Sequence, residues 1–67
     1  MTETQIMQWM RDRVKQAGFT NATALAESFL KEHKIKDALD PEFSLSLDAG
    51  YKVAQEINDK TMASAKN

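Results

Sequence analysis

The stretch that decides the fold is residues 2–18, TETQIMQWMRDRVKQAG. At the step of about 100° per residue of an α-helix, its apolar residues fall on one side. They are Ile6, Trp9, Met10, Val14 and Ala17. Thr2 followed by Gln5 is typical of a capping box, and Gly18 is typical of the residue that ends a helix. The sequence therefore predicts a first helix over Glu3–Ala17.

A second helix is predicted soon after Gly18. Thr20 or Asn21 is the expected N-cap, and the helix should end at about His33 or Lys34. The apolar side of this helix consists of Ala22, Leu25, Ala26, Phe29, Leu30 and His33. The joint between the two helices is short, so we expect Phe19 to fold back onto Val14.

The segment from Ile35 to Leu45 is predicted to connect the second helix to a third. Its apolar residues alternate with serines toward the end, but the chain offers no second strand to pair with. Asp40-Pro41-Glu42 fits a turn or the cap and first residues of a short helix equally well. The prediction is a connector that allows a short extra helical turn within residues 37–45.

The third helix is predicted to begin at Ser46 or one turn earlier and to end at about Thr61. Its predicted buried side is Leu47, Gly50, Tyr51, Val53, Ala54 and Ile57. On the opposite side charges of alternating sign recur every four residues, which is typical of a solvent-facing surface: Asp48, Lys52, Glu56 and Lys60. A glycine inside a helix costs about 1 kcal/mol relative to alanine, so Gly50 indicates close approach by another helix.

These elements predict an all-α fold, a small three-helix bundle that forms a single domain over residues 1–62 with a frayed tail over 63–67. A chain of 67 residues buries only roughly 60% of the surface that it exposes when unfolded. It has no cysteine for disulfides, and one histidine without thiol partners makes no tetrahedral zinc site. Helix packing, alone or with a partner chain, must therefore stabilise the fold.

The residues that carry enzyme chemistry are too few for a catalytic or metal site. His33 lies on the apolar side of its helix, where we expect a partly buried ring with one nitrogen satisfied. A calcium loop counted from Asp40 puts Leu45 where glycine is required and Tyr51 where a bidentate glutamate is required. We therefore expect no enzyme activity, no cofactor, no metal and no small-molecule substrate.

The composition also limits the cellular location and the classes of partner that we expect. Nine basic and ten acidic side chains leave a net charge of -1, so the broad positive field that favours nucleic acid is missing. Residues 1–8 are polar and acidic, unlike a secretory signal, and charges interrupt every apolar run before it could span a membrane. We expect a cytoplasmic protein.

The first helix has more apolar surface than one flank of a bundle needs. With Met7 its apolar arc spans about 160°, and Arg13 projects into the middle of that arc. Arg13 should stack on Trp9 or meet Asp37 or Asp40, or else join Trp9 as an exposed anchor for a partner. The leading hypothesis is a small interaction or regulatory module, a bacterial or phage-type accessory protein that binds another protein or dimerises. Its predicted partner-binding residues are Met7, Trp9, Met10, Arg13 and Val14.

The alternative hypothesis is DNA binding. Residues 17–24, AGFTNATA, resemble the turn and the start of the recognition helix in helix-turn-helix repressors. The resemblance implies a dimeric transcriptional regulator, with Arg11, Arg13 and Lys15 near phosphates and three residues at base edges: Thr20, Asn21 and Thr23. Val14 and Glu27 depart from the small and apolar residues that the motif usually has, and the second helix has no basic residue before Lys31.

Overall fold

The computed structural model describes residues 1–65, and it describes side chains through residue 60. The order of elements is α1 (Glu3–Ala17), α2 (Ala22–Glu32) and α3 (Pro41–Ala65), with no strand in the described part of the chain. The predicted all-α three-helix bundle is confirmed. Ion pairs join Met1 to Glu42 and Arg11 to Glu56, so α1 and α3 run in the same direction. No helix among the described residues is both long and apolar enough to cross a membrane.

The ends of α1 form as predicted. The Gln5 amide donates to Thr2 Oγ1 at 3.2 Å, and the Thr2 amide donates to Gln5 Oε1 at 2.8 Å, which completes the capping box. At the other end the Gly18 amide donates to the Val14 carbonyl at 2.8 Å. Gly18 has a φ of +84°, which L-residues rarely adopt, so a glycine is required there.

The first turn of α2 is capped by Asn21 and not by Thr20. Asn21 Oδ1 accepts the amide hydrogen of Ala24 at 2.8 Å. Phe19, in the short joint between α1 and α2, packs its ring partly against the core.

Helix α2 ends at Glu32 in a Schellman motif, slightly before the predicted end. The Ile35 amide donates to the Leu30 carbonyl at 2.9 Å, and the Lys34 amide donates to the Lys31 carbonyl at 3.2 Å. Lys34 occupies the left-handed position of this motif with a φ of +56°. Glycine is the usual residue there, so Lys34 holds a strained backbone conformation.

Helix α3 begins at Pro41, five residues before Ser46, so the earlier of the two predicted starts, one turn before Ser46, is the nearer one. Asp40 Oδ1 accepts the Glu42 amide at 2.9 Å, and a proline in the first turn loses no hydrogen bond. Residues 41–45, predicted as connector with an optional extra turn, are thus the first turn of α3. The α3 backbone is helical through Ala65, while the side chains beyond 60 and all of 66–67 in the predicted 63–67 tail lie outside the described residues.

The core lies where α3 packs on both other helices. Its buried apolar residues are Ile6, Met10, Leu25, Ala26, Phe29, Ala49 and Val53. The side of α3 that faces the core is made largely of small residues, because α2 passes very close to it. A Cβ atom at Gly50 would lie 2.9 Å from the carbonyl oxygen of Ala22, so the predicted close approach at Gly50 is confirmed.

Candidate interaction surfaces

The residues predicted as a partner-binding strip on α1 mostly pack within the chain. Met10 is fully buried at 0% exposure, so it is a core residue and cannot contact a partner of the folded chain, which corrects that part of the prediction. Met7, Trp9 and Val14 are half-buried against the core. The wide apolar arc of α1 has a simple cause: one edge packs toward α2 and the other toward α3.

Trp9 belongs to an aromatic cluster that joins α1 to α2. Its ring meets Phe29 edge-on at 5.4 Å between centroids and His33 edge-on at 5.6 Å. The rings of Phe29 and His33 stack at 4.1 Å. His33 Nδ1 lies 3.0 Å from the carbonyl oxygen of Phe29, so one ring nitrogen has a partner, as predicted, although the residue as a whole is exposed. His33 therefore contributes to the packing of this aromatic cluster.

Arg13 follows one of its predicted arrangements. Its guanidinium carbon lies 6.0 Å from the centroid of the Trp9 ring, at the outer range of a cation–π contact. Its carboxylate partner is Glu32, at 3.6 Å, and not the predicted Asp37 or Asp40. Those two aspartates instead accept backbone amides in the connector, Asp37 from Leu39 and Asp40 from Glu42. Arg13 and Trp9 therefore already contact each other and α2.

The charged side of α3 is partly an interface with α1, which corrects the prediction of a purely solvent-facing ladder. Arg11 donates two hydrogen bonds to the Glu56 carboxylate, at 2.9 and 2.7 Å. These bonds hold the pKa of Glu56 below and the pKa of Arg11 above their ordinary values. Lys52 pairs with Glu3, and the hydrogen bond to Glu3 likewise raises the pKa of Lys52.

One side of α3 has exposed side chains and no charge. At about 100° per residue, five exposed residues fall within an arc of about 80°. They are Ser44, Leu47, Tyr51, Gln55 and Asn58, and we call them the neutral strip. The charged residues of α3 up to residue 60 all lie outside that arc: Glu42, Asp48, Lys52, Glu56, Asp59 and Lys60.

Leu47 and Tyr51 were predicted to be buried, and that prediction is wrong for the isolated chain. Leu47 is 48% exposed and Tyr51 is 60% exposed. The physical reason is the position of these residues around α3: at about 100° per residue, Leu47 lies about 120° and Tyr51 about 160° from the core residue Val53. Two large apolar side chains one turn apart therefore lie away from the core and face solvent.

A surface groove continues the neutral strip toward the joint between α1 and α2. Its volume is about 410 Å³. On the α3 side it is lined by Tyr51, Ala54, Gln55 and Asn58, and on the joint side by Phe19, Thr20, Asn21 and Ala22. None of these residues carries a charge, and they include part of residues 17–26, AGFTNATALA, a run without any charged residue in a chain that is 28% charged. The strip and the groove together form what we call the neutral face.

Of the residues predicted to contact DNA bases, Thr20 and Asn21 line this groove, and Thr23 lies in the first turn of α2. Thr20, Asn21 and Thr23 are all exposed, although the side-chain oxygen of Asn21 is occupied by the Ala24 amide. Of the basic residues predicted to contact phosphates, Arg11 forms an ion pair with Glu56 and Arg13 forms one with Glu32. Lys15 lines a different groove, between α1 and α3. The structure thus brings the three polar residues together without a cation among them.

The described part of the chain offers no cluster of three or more metal-ligating side chains. Among the side chains described, every buried nitrogen or oxygen has a hydrogen-bond partner. Ser46, which is fully buried, illustrates this, because its hydroxyl donates to the Glu42 carbonyl at 2.6 Å. The buried polar groups of these side chains therefore offer no free hydrogen-bonding atom for a ligand. The candidate functional site is the neutral face on the surface.

Sequence reasoning missed the neutral face, although two signals for it are present. The first is the uncharged run over residues 17–26, and the second is the spacing of five uncharged residues along one side of α3. Both signals emerge only when the uncharged positions are placed on the predicted helices. The apolar periodicity alone assigned Leu47 and Tyr51 to the core. No family model, no curated protein and no solved structure matches this chain.

Proposed function

We propose that this chain is a non-enzymatic interaction module, acting in the cytoplasm, that binds a protein chain through its neutral face. The observation that carries the proposal is the exposure of Leu47 and Tyr51 side by side in a strip without charge. The centres of protein interfaces are depleted of charged residues and enriched in tyrosine. Tyrosine is also one of the residue types that most often dominate binding energy.

Leaving the apolar side chains of Leu47 and Tyr51 in water costs free energy that a partner would recover. Covering Leu47 and Tyr51 would remove apolar surface from water, which favours association. No charged group within the strip has to be desolvated to achieve this, and desolvation of a charge that is not well paired is costly. The neutral face therefore replaces the α1 strip as the proposed contact surface.

Site-directed photo-crosslinking in the producing cell tests this function. A photo-reactive residue would replace Gln55, within the neutral strip, and a matched control would carry it at Gln16, an exposed position on α1 outside the face. We expect a crosslinked product of discrete mass from Gln55 alone. The same product should disappear when Tyr51→Glu is added. Equal products from both positions, or none from either, would count against the proposal.

The alternative function, a helix-turn-helix regulator with Thr20, Asn21 and Thr23 at base edges, remains a proposal with its own test. In its favour, the three residues are exposed at the start of α2. Non-specific DNA binding depends on cations that contact phosphates, so any affinity for a random duplex should be strongest at low salt. Retarded migration of such a duplex at low salt, lost on raising the salt, would support this alternative, and no retardation at low salt would remove it.

A further inference from the structure

We infer that the occupant of the neutral face is a second copy of this chain, with the two α3 helices antiparallel about a two-fold axis at Tyr51. The inference rests on the proposed function and names its partner. In such a pair, residues equally distant from Tyr51 in sequence come level with one another. The neutral strip is symmetric in this sense, because Leu47 pairs with Gln55 and Ser44 with Asn58, around Tyr51.

The shape of the groove supports this register. Tyr51, Ala54, Gln55 and Asn58 have the spacing i, i+3, i+4 and i+7, the four positions that form a hole for a knob from a facing helix. Leu47 of the second copy would come level with Gln55, at the centre of that hole. Ala54 provides the space, because its small side chain forms the floor of the groove between larger neighbours. The two-fold axis repeats the same contact in the other direction.

Charge also favours a second copy. Across a two-fold axis a residue near the axis meets its own copy, so a charge there would face a like charge. The neutral strip has none. At the edge of the strip, Asp48 of one copy comes within two residues of the level of Lys52 of the other, about 3 Å along the helix axis. Lys52 also comes within two residues of the level of its own copy, but it lies about 100° around the helix from Tyr51, whereas Asp48 lies about 60° from it. The opposite charges are therefore nearer to each other at the rim than the two lysines are, once on each side of the axis.

Because Tyr51 lies on the proposed axis, opposite charges introduced there distinguish loss of the dimer contact from loss of folding. Tyr51 is exposed, so Tyr51→Glu and Tyr51→Lys should leave the monomer folded, which circular dichroism would verify. Sedimentation equilibrium of the wild type should show mass rising from 7.6 kDa toward twice that value with concentration. Each variant alone should dimerise at least tenfold more weakly, since like charges meet on the axis. An equimolar mixture should recover the dimer, as the opposite charges then pair.

The controls separate failure of this inference from failure of the proposed function. Gln16→Glu and Gln16→Lys, on exposed α1, should dimerise like the wild type. A wild type that remains monomeric, while the Gln55 crosslink joins the chain to a different protein, would overturn the two-fold pair and leave the proposed function standing. Dimers that persist unchanged in both Tyr51 variants would overturn the two-fold pair, since that association would not use the neutral face. Weakening in both variants without recovery on mixing would overturn the axis at Tyr51.

Discussion

The carbonyl oxygen of Ala22 lies 2.9 Å from the position that a Cβ atom on Gly50 would occupy. This distance is shorter than real Cβ atoms show, and the atom it meets belongs to the backbone of α2. The close approach fixes how α2 packs against α3, and Gly50 is buried while its neighbour Tyr51 faces solvent. A substitution at Gly50 therefore tests the packing of the fold, and one at Tyr51 tests the neutral face.

Gly50→Ala should destabilise the chain although alanine is the better helix former. The helix-propensity gain is about 1 kcal/mol, whereas overpacking that shifts backbone costs about 1–3 kcal/mol. We expect a net loss visible as a lower melting temperature. Thr4→Ala, at an exposed position of α1, is the control and should leave the melting temperature unchanged or slightly raised. A more stable Gly50→Ala variant would show that α2 does not approach this closely.

Lys34→Gly should stabilise the chain. Lys34 has a φ of +56° in the left-handed position that ends α2, where a Cβ atom is unfavourable by about 1 kcal/mol. Relief of that strain should raise the melting temperature by about 4–8 °C in a domain of this size. The matched control is Lys36→Gly, at an exposed connector residue, which should not stabilise. Equal effects at both positions would contradict the assignment of strain to Lys34.

Met7 and Met10 should respond very differently to truncation. Met10 is fully buried, so Met10→Ala should cost about 2–5 kcal/mol, enough to unfold much of a small domain. Met7 is half-buried at the edge of the core, and Met7→Ala should cost clearly less. Urea titration of both variants measures the difference. Comparable losses would mean that Met10 is not the core residue described above.

Stability should fall in acid partly because of Glu56. The hydrogen bonds from Arg11 lower the pKa of Glu56 in the folded chain, so its contribution is present above the unfolded pKa and disappears as pH falls through the folded pKa. Both side chains are more than a third exposed, which limits the contribution to about 1 kcal/mol or less. Glu56→Gln should therefore lose less stability than the wild type as pH falls from about 5 to about 3. Parallel pH profiles would contradict this role.

Much of the fold follows from the sequence because local signals agree with the packing. The capping box at Thr2, the glycine at residue 18 and the apolar period of α1 and α2 each predict what the structure contains. The start of α3 could not be fixed from the sequence, since Asp40-Pro41 is compatible with a turn or a helix start and only the tertiary context decides between them. The exposure of Leu47 and Tyr51 was also missed, because the buried side of α3 was drawn over too wide an arc, whereas both residues lie more than about 100° around the helix from the core residue Val53.

The sequence predicted what kind of site to expect, an apolar surface on a helix, but placed it on α1. An apolar surplus on a helix surface does exist, but it lies on α3, since the surplus on α1 is shared between contacts to two helices. The apolar arc of α1 seemed wider than the bundle needs, because its width was compared with the surface that one neighbouring helix covers. In the structure Trp9 packs toward α2 and Val14 packs toward α3. Periodicity identifies which side of a helix is apolar and does not say whether the chain itself covers that side.

The central claim is that two copies of this chain associate through the neutral face, and a dilution series of amide chemical shifts tests it most directly. Spectra of ¹⁵N-labelled protein would be compared from dilute to concentrated samples. The account predicts concentration-dependent shifts at Leu47, Tyr51 and Gln55 and along the joint at Thr20, with none at Gln16 or Lys31. Shifts confined to α1, or no shifts at any concentration, would contradict it.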